Sequence, residues 1–302
     1  MKGSGYYSLA TTGAKIVIDG AIPLIRGALE AMDIKDDGTV FAMADMGCAD
    51  GGTSIDMVDQ ALKFVRERAP SRPLTMTYTD LPRNDFSQVF QNVHDLTDLP
   101  GYAPNIDNLY VYASGTSFHQ RIFPYNSLHF GFSATASHYI SERPGPITNH
   151  VHMVGAEGTE LTAYTEQGRA DWERILNCRA AELVPGGRLV LLNFCRDEEG
   201  RYLGGTKGVN MFHTFDRLWR EMADDGAITM SEYEATVFPQ YYRDIAECSA
   251  PLVDTSNAVH KAGLRLDHIE TRVVDCPYRV DYQRHGDATK FAREYIPTLR
   301  SW

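Results

Sequence analysis

Residues 41–52, FAMADMGCADGG, constrain this chain more than any other stretch: an apolar run ends in an acid and passes at once into a small-residue turn with glycines at 47, 51 and 52. A buried strand that delivers a carboxylate to a glycine turn, with a helix behind it, lets backbone come close to a nucleotide-like ligand. The glycine spacing does not fit the dinucleotide fingerprint G-x-G-x-x-G, which disfavours NAD and favours an adenosyl cofactor. Asp45, Gly47 and Asp50 are the candidate contacts in this turn.

The next forty residues supply what a lone glycine turn lacks. Ser54 can cap a helix whose apolar positions Ile55, Val58, Leu62 and Val65 share one face, and after Arg72-Pro73 the run LTMTYT reads as a second strand. Strand, helix and strand make a βαβ unit ending in Asp80, where an acid can hold both ribose hydroxyls of an adenosine. A simple loop acid ahead of Pro82 is the alternative, and the glycine turn upstream tips the balance toward the cofactor.

At 302 residues, 43% hydrophobic and 23% charged, the chain has ample length for a large core. A formal charge of -11 without clustered Lys or Arg argues against nucleic acid, so an anionic substrate must be attracted by local groups. Five scattered cysteines, at 48, 178, 195, 248 and 276, read as free thiols of a reducing compartment. No apolar run approaches 18 residues, so no membrane segment is expected and a cytoplasmic location is the default. His150 and His152 invite a metal reading, but no acid or thiol stands at useful spacing, and no metal is expected.

The opening KGSGYYSLA, the turn ADMGCADGG, and the segments TDLPRNDF, SGTSFHQRIFPYNSLHFGFSATASHYIS and CRAAELVPGGRLVL carry a family likeness. In order and at similar spacing they resemble the SABATH methyltransferases, which include plant salicylate, benzoate, jasmonate and theobromine methyltransferases and microbial relatives. The resemblance runs to about residue 275. It implies an α/β fold: a Rossmann-like class I methyltransferase sheet, mostly parallel, with an α-helical cap. Residues 1–142, 176–200 and 260–302 would form the S-adenosylmethionine-binding core, and residues 143–175 and 201–259 the cap over the substrate.

The resemblance assigns the cofactor to Asp45, Gly47, Asp50, Asp80, Leu81, Ser117, Phe118 and Ser133, and Tyr7 and Thr12 are the nearest groups that could substitute where the opening segment departs from the family, an ordered N-terminal arm being their alternative. S-adenosyl-L-homocysteine is the implied product. His138 and Tyr139 fall where the family grips its substrate, and Phe212 and Tyr241 align with pocket-lining positions, with a core role as their alternative. There are departures too. Leu9 stands where the family usually has Tyr, Gly13 where it often has Ser, and Ile16 where plant relatives have a carboxylate-gripping Gln.

Periodicity predicts helices over 15–32, broken near Gly20 and Pro23, and over 85–93, around Trp172 and over 209–222. A further helix is predicted to start at ATASHYIS. Strands are predicted over 109–113, as a buried one, 127–133 and 264–274, with VPGG at 184–187 a turn into another.

The expected reaction is transfer of a methyl group from S-adenosylmethionine to the carboxylate of a small organic acid, giving a methyl ester. Such an acid is already ionised at pH 7, so no catalytic base is required, and alignment supplies up to roughly 7–11 kcal/mol. The alternatives are N- or phenolic O-methylation, where His138 would serve as base, and a non-catalytic cofactor-binding scaffold. The expected partner is a small carboxylic acid, with no nucleic acid and no membrane, and a homodimer is one option for the assembly.

Overall fold

The computed structural model describes residues 5–205 and 210–300. In chain order they form α1 (Tyr6–Ala10), α2 (Thr12–Gly20), α3 (Ile22–Glu30), β1 (Phe41–Met46), α4 (Ile55–Arg68), β2 (Leu74–Thr79), α5 (Phe86–Val93), β3 (Leu109–Ser114) and β4 (Leu128–Ala134). There follow α6 (Gly158–Glu182), β5 (Leu183–Leu192), α7 (Met211–Asp224), α8 (Met230–Ala235), α9 (Ile245–Val253), α10 (Ala258–Lys261), α11 (Pro277–His285) and α12 (Ala288–Leu299). The break predicted near Gly20 is the α2–α3 junction, with Pro23 in the first turn of α3, where its missing N–H costs nothing.

Two compact units result, one of residues 1–135, 181–192 and 274–302, the other of 136–180 and 193–273. The first, the sheet unit, carries five strands in the order β3-β2-β1-β4-β5, every pairing parallel. β1 lies at its centre with Phe41, Met43, Ala44, Asp45 and Met46 buried, which is why its sequence is an apolar run rather than an alternation. α4 packs Ile55, Val58, Leu62 and Val65 into the core beside it. β3 is an edge strand, not the buried one its apolar look predicts: Tyr110 and Tyr112 face solvent. The VPGG turn survives as a bulge within β5, where Leu128 pairs with Leu183 but Phe130 with Arg188, and Gly186 takes φ 81°.

The second, helical unit contains most of α6 and all of α7 to α10. Its core gathers Ile140, Ile147, Met153, Tyr164, Phe212 and Tyr242. Residues 136–142, assigned to the sheet by sequence, belong here because Tyr139 bridges Gln240 and Ile140 N–H donates to Pro239 O at 3.0 Å. This pairing also replaces the helix predicted at ATASHYIS. Residues 264–276 form no strand, because they find no ladder partner despite an alternating pattern. Val209, the predicted start of α7, lies outside the described residues, and Asn210 caps that helix by accepting from His213 N–H at 3.0 Å.

Candidate functional site

The candidate residues divide between the units. At the C-terminal ends of β1 and β2, Gly47 and Cys48 N–H both donate to Thr79 O (2.8 and 3.1 Å), which sews the turn to the neighbouring strand. The turn needs left-handed backbone at Gly47, Ala49 and Gly51 (φ 81°, 51° and 72°), and glycine meets that demand without strain at two of the three. A Cβ on Gly52 would run into Ser8 Oγ and Leu99 Cδ1.

Asp80 accepts one backbone N–H on each oxygen, from Leu81 (2.7 Å) and Ala49 (2.9 Å). Each oxygen retains acceptor capacity, which is what a ribose diol requires. Burial pushes the Asp80 carboxyl above its ordinary range, and these two N–H groups pull it back. Asp45 is buried, and Ser54 Oγ donates to it at 2.6 Å; Ser54 sits at the N-cap position of α4 with αR backbone and accepts no cap N–H. Burial pushes Asp45 up to about 7 against that hydrogen bond, helped by the charge of Asp80.

Asp50 is the anchor of the N-terminal arm. It accepts from Ser8 N–H (2.9 Å), the Ser8 hydroxyl and Gly52 N–H (3.2 Å). From the other side, Tyr278 Oη and Thr298 Oγ1 donate to Ala10 O at 3.3 and 2.8 Å, so α11 and α12 hold the end of α1. Tyr7 is half-buried and Thr12 exposed. Thr11, between them in sequence, is buried and donates to Tyr7 O at 2.6 Å. Leu81 is exposed.

Ser117 and Phe118 follow β3, both half-exposed; Phe118 is not a core residue and lies 4.6 Å from the His119 ring. Ser133 is buried on β4 and donates its hydroxyl to Met46 O at 2.7 Å, a tie between β4 and β1. Three residues absent from the sequence-derived set complete the turn: Ser8, Asn84, whose amide donates to Ala49 O at 2.7 Å, and Asn92, which donates to Asp50 O at 2.8 Å. Asn84 lay within the TDLPRNDF segment and Ser8 within the opening one, so the family likeness held the signal for both; nothing marked Asn92.

In the helical unit, His138 is 1% exposed and neither ring nitrogen has a hydrogen-bond partner. Tyr139, Phe194 and Tyr242 surround it at ring-centroid distances of 4.8, 4.7 and 5.6 Å. Burial, then the positive charge of Arg243 and then His152, pushes the imidazole down to about 3, so His138 is neutral. Tyr139 is half-buried, its hydroxyl raised by burial and eased by Gln240. Phe212 is fully buried, stacked on His152 at 3.7 Å. The Tyr241 hydroxyl is engaged by Thr165 Oγ1 (3.0 Å) and Glu247, and its ring lies against Gly168.

His152 and Gln240 face one another at 3.2 Å, and His150 Nε2 meets His213 Nδ1 at 2.9 Å. Among the described residues no group of three His, Cys, Asp or Glu is placed to hold a metal, and no helix is long and apolar enough to cross a membrane. The acids at the strand ends, the exposed acceptor capacity of Asp80 and the half-exposed Phe118 fit an adenosyl group carrying positive charge.

Residues 1–289 match the model of the SAM-dependent carboxyl methyltransferase family. The chain is 28% identical over 279 residues to the salicylate carboxymethyltransferase of Clarkia breweri, covering 89% of this chain and 74% of that enzyme. It is 25% identical over 251 residues to gibberellic acid methyltransferase 2 of Arabidopsis thaliana, covering 76% of this chain and 63% of that one. Among solved structures, loganic acid methyltransferase with SAH superposes with a TM-score of 0.72 at 25% identity, covering 83% of this chain and 74% of that chain. The parallel sheet is thus a class I methyltransferase sheet, S-adenosylmethionine is the cofactor, and the chain belongs to the SABATH family of SAM-dependent carboxyl methyltransferases.

Proposed function

We propose that His138 and Tyr139 hold the two oxygens of a small acid's carboxylate, and that residues 136–180 and 193–273 form the cap in which that acid is selected. The observation that carries this reading is the His138 imidazole, buried and unpaired at both nitrogens. An unsatisfied buried polar group costs about 1–3 kcal/mol, so one that persists calls for a ligand to complete it. A neutral imidazole donates one N–H and the Tyr139 phenol an O–H, which together match a carboxylate.

S-adenosylmethionine supplies an electrophilic methyl group on a positively charged sulfur. Around it, Asp80 is assigned to the ribose hydroxyls, Ser117, Phe118 and Leu81 to the adenine end, and Asp45, Gly47 and Asp50 to the turn that receives the rest. Tyr7 and Thr12 are assigned to the arm that Asp50 and Ser8 hold closed. Ser133 serves by fixing Met46 O, just before Gly47. Phe212 and Tyr241 are assigned the rear wall of the acid pocket, since one ring is core and the other's hydroxyl is already engaged.

The chemistry asks little else of the chain. A carboxylic acid is ionised at neutral pH, so these residues orient it and exclude water without removing a proton. N- or phenolic O-methylation would need a base. An imidazole held near 3, with neither nitrogen hydrogen-bonded among the described residues, is a poor one. A cytoplasmic setting accords with five free cysteines, and a homodimer is the assembly to be checked by light scattering.

The test is a panel of salicylic, indole-3-acetic, gibberellic, loganic and short dicarboxylic acids, with 7-methylxanthine as an N-acceptor, incubated with S-adenosylmethionine. Methyl ester, read by mass spectrometry, is the expected product, with a single-turnover rate flat from about pH 6.5 to 9. Methylated xanthine without any ester would overturn the reading.

A further inference from the structure

Arg243 is 3% exposed, in the segment that follows α8. Its Nε and Nη2 donate to Gly168 O at 3.1 and 2.6 Å, and Nη1 donates to Ser137 O at 3.0 Å. Its guanidinium carbon stands 5.2 Å from the Trp172 ring centroid. Among the described residues no carboxylate lies within ion-pair distance of it. The acids whose charge reaches it are committed elsewhere: Asp171 accepts from Ser141 and Gln167, and Glu247 from Tyr241 and Asp244. A buried arginine is normally matched by an acid, because removing a cation from water costs several kcal/mol.

The guanidinium also sits one residue from His138. Nη1 bonds the carbonyl of Ser137, while Tyr241 N–H bonds the carbonyl of His138 at 2.9 Å, so residues 241–243 and 137–139 are fastened side by side. The same charge lowers the proton affinity of His138.

We propose that Arg243 is a positioning and specificity residue for the acid: it fixes the His138 turn and supplies the positive charge that makes the pocket prefer an ionised carboxylate over a neutral isostere. The inference rests on the carboxylate reading of His138 and Tyr139. Arg243 does not touch the substrate. It acts through Ser137 and through its field, and binding of an anion beside His138 adds to the partial compensation that Asp171 and Glu247 give a buried cation with no carboxylate at ion-pair distance among the described residues. The substrate class that follows is a monoanionic or dianionic carboxylic acid, with its amide and its ester rejected on charge as well as on shape.

The experiment compares the acid of the panel that turns over fastest with its primary amide, as KM for the acid and competitive inhibition constant for the amide. It uses wild type, Arg243→Met, Arg243→Gln and Arg243→Lys. S-adenosylhomocysteine affinity serves as the control for folding. Both neutral variants are expected to lose about tenfold in acid-over-amide preference, chiefly through KM, and Arg243→Lys to keep most of it. A merely structural role would weaken acid and amide alike and leave the ratio unchanged. An unchanged ratio in the neutral variants, or an equal loss in Arg243→Lys, overturns the inference while leaving the carboxylate reading intact. Failure of wild type to form ester from any acid would instead remove the reading on which it rests. Should Arg243→Met fail to fold, Arg243→Gln, which keeps a donor for Ser137 O, decides.

Discussion

Around the glycine turn of the sheet unit, Asp50 accepts three donors, Asp80 two and Asp45 one, whereas in the helical unit His138 is buried with neither nitrogen paired. Both arrangements take ionisable groups out of water, and burial moves them in opposite directions: Asp45 up to about 7, His138 down to about 3. On the proposed assignment, the turn is built before its cofactor arrives. The imidazole waits for the acid. A site that must hold one unvarying cofactor gains from a pre-formed frame, since less ordering remains to be done on binding. A site whose polar atoms stay unsatisfied until the ligand enters gains selectivity, because a wrong ligand leaves the buried group still unpaired.

The largest expected effect tests the built side. Replacing Asp80 with Ala removes a charged acceptor and should weaken S-adenosylhomocysteine binding by about 1.5–3 kcal/mol. Ala49 and Leu81 N–H lose their partner at the same time, so the turn should loosen without unfolding the sheet. Calorimetry on wild type and variant checks it, and an unchanged affinity would take Asp80 out of the cofactor site.

On the incomplete side, His138→Phe should do the reverse of what deleting a hydrogen-bonding residue usually does. It removes two unpaired buried nitrogens, so the ligand-free protein should gain about 1–2 kcal/mol of stability while ester formation falls. The pH dependence carries the same sign. An imidazole held near 3 leaves more protons on the unfolded chain below its ordinary value of 6.5. Its contribution to stability is therefore complete above 6.5 and lost as pH falls toward 3, at up to about 1.4 kcal/mol per pH unit. His129 and His152, pushed down to about 4 and about 3, share that slope and will persist in the variant. Chemical denaturation at several pH values between 4 and 7 measures it. A destabilised His138→Phe would mean that the imidazole has a structural task.

The same contrast explains what was legible before the structure. β1, α4, β2 and α5 could be read because local signals agree with their packing, an apolar run, a one-sided helix and a helical period over 85–93, in which Asp85 turns out to be the cap. Asp45 and Asp80 could be placed at strand ends because the strand and turn signals are local in sequence, whereas Ser133, on β4, was placed only by the family likeness. The strand expected over 264–274 failed for the reason such runs often do: alternation describes a face, not a partner, and no ladder forms there. Ser54 looked like a cap, but its backbone is already αR (φ -98°, ψ -2°) and its hydroxyl is turned to Asp45 instead of accepting from a backbone N–H. Arg243 carried no signal at all. Its meaning depends on Ser137 and Gly168, more than seventy residues away in sequence, and on the distance of every acid from it.

A smaller effect separates scaffold from contact within the turn. Ser133 Oγ is already given to Met46 O, so Ser133→Ala should cost about 1 kcal/mol of stability. Its effect on S-adenosylhomocysteine affinity should be much smaller than that of Asp80→Ala. Paired thermal and calorimetric measurements test this, and an affinity loss matching that of Asp80→Ala would place the hydroxyl on the cofactor itself.

The smallest effect is the most specific, because it reads the charge state of Asp45. With its carboxyl held near 7, Asp45 is largely protonated at pH 6 and largely ionised at pH 8. In the ligand-free protein the neutral form is the one burial favours, so its contribution to stability is complete below the ordinary carboxylate value and lost as pH rises through 7. A sulfonium bound nearby reverses that preference by stabilising the carboxylate. Affinity for S-adenosylmethionine should then rise with pH across 7, by roughly threefold to tenfold between pH 6 and 8, with release of part of a proton. S-adenosylhomocysteine has no sulfonium and shares every other group, so its affinity should change less. Calorimetry in two buffers of different ionisation enthalpy counts the proton directly, and Asp45→Asn should erase the difference between the two ligands. Equal pH slopes for both ligands in wild type would show that the sulfonium does not feel Asp45, and the acid would then be a strut for Ser54 and the start of α4.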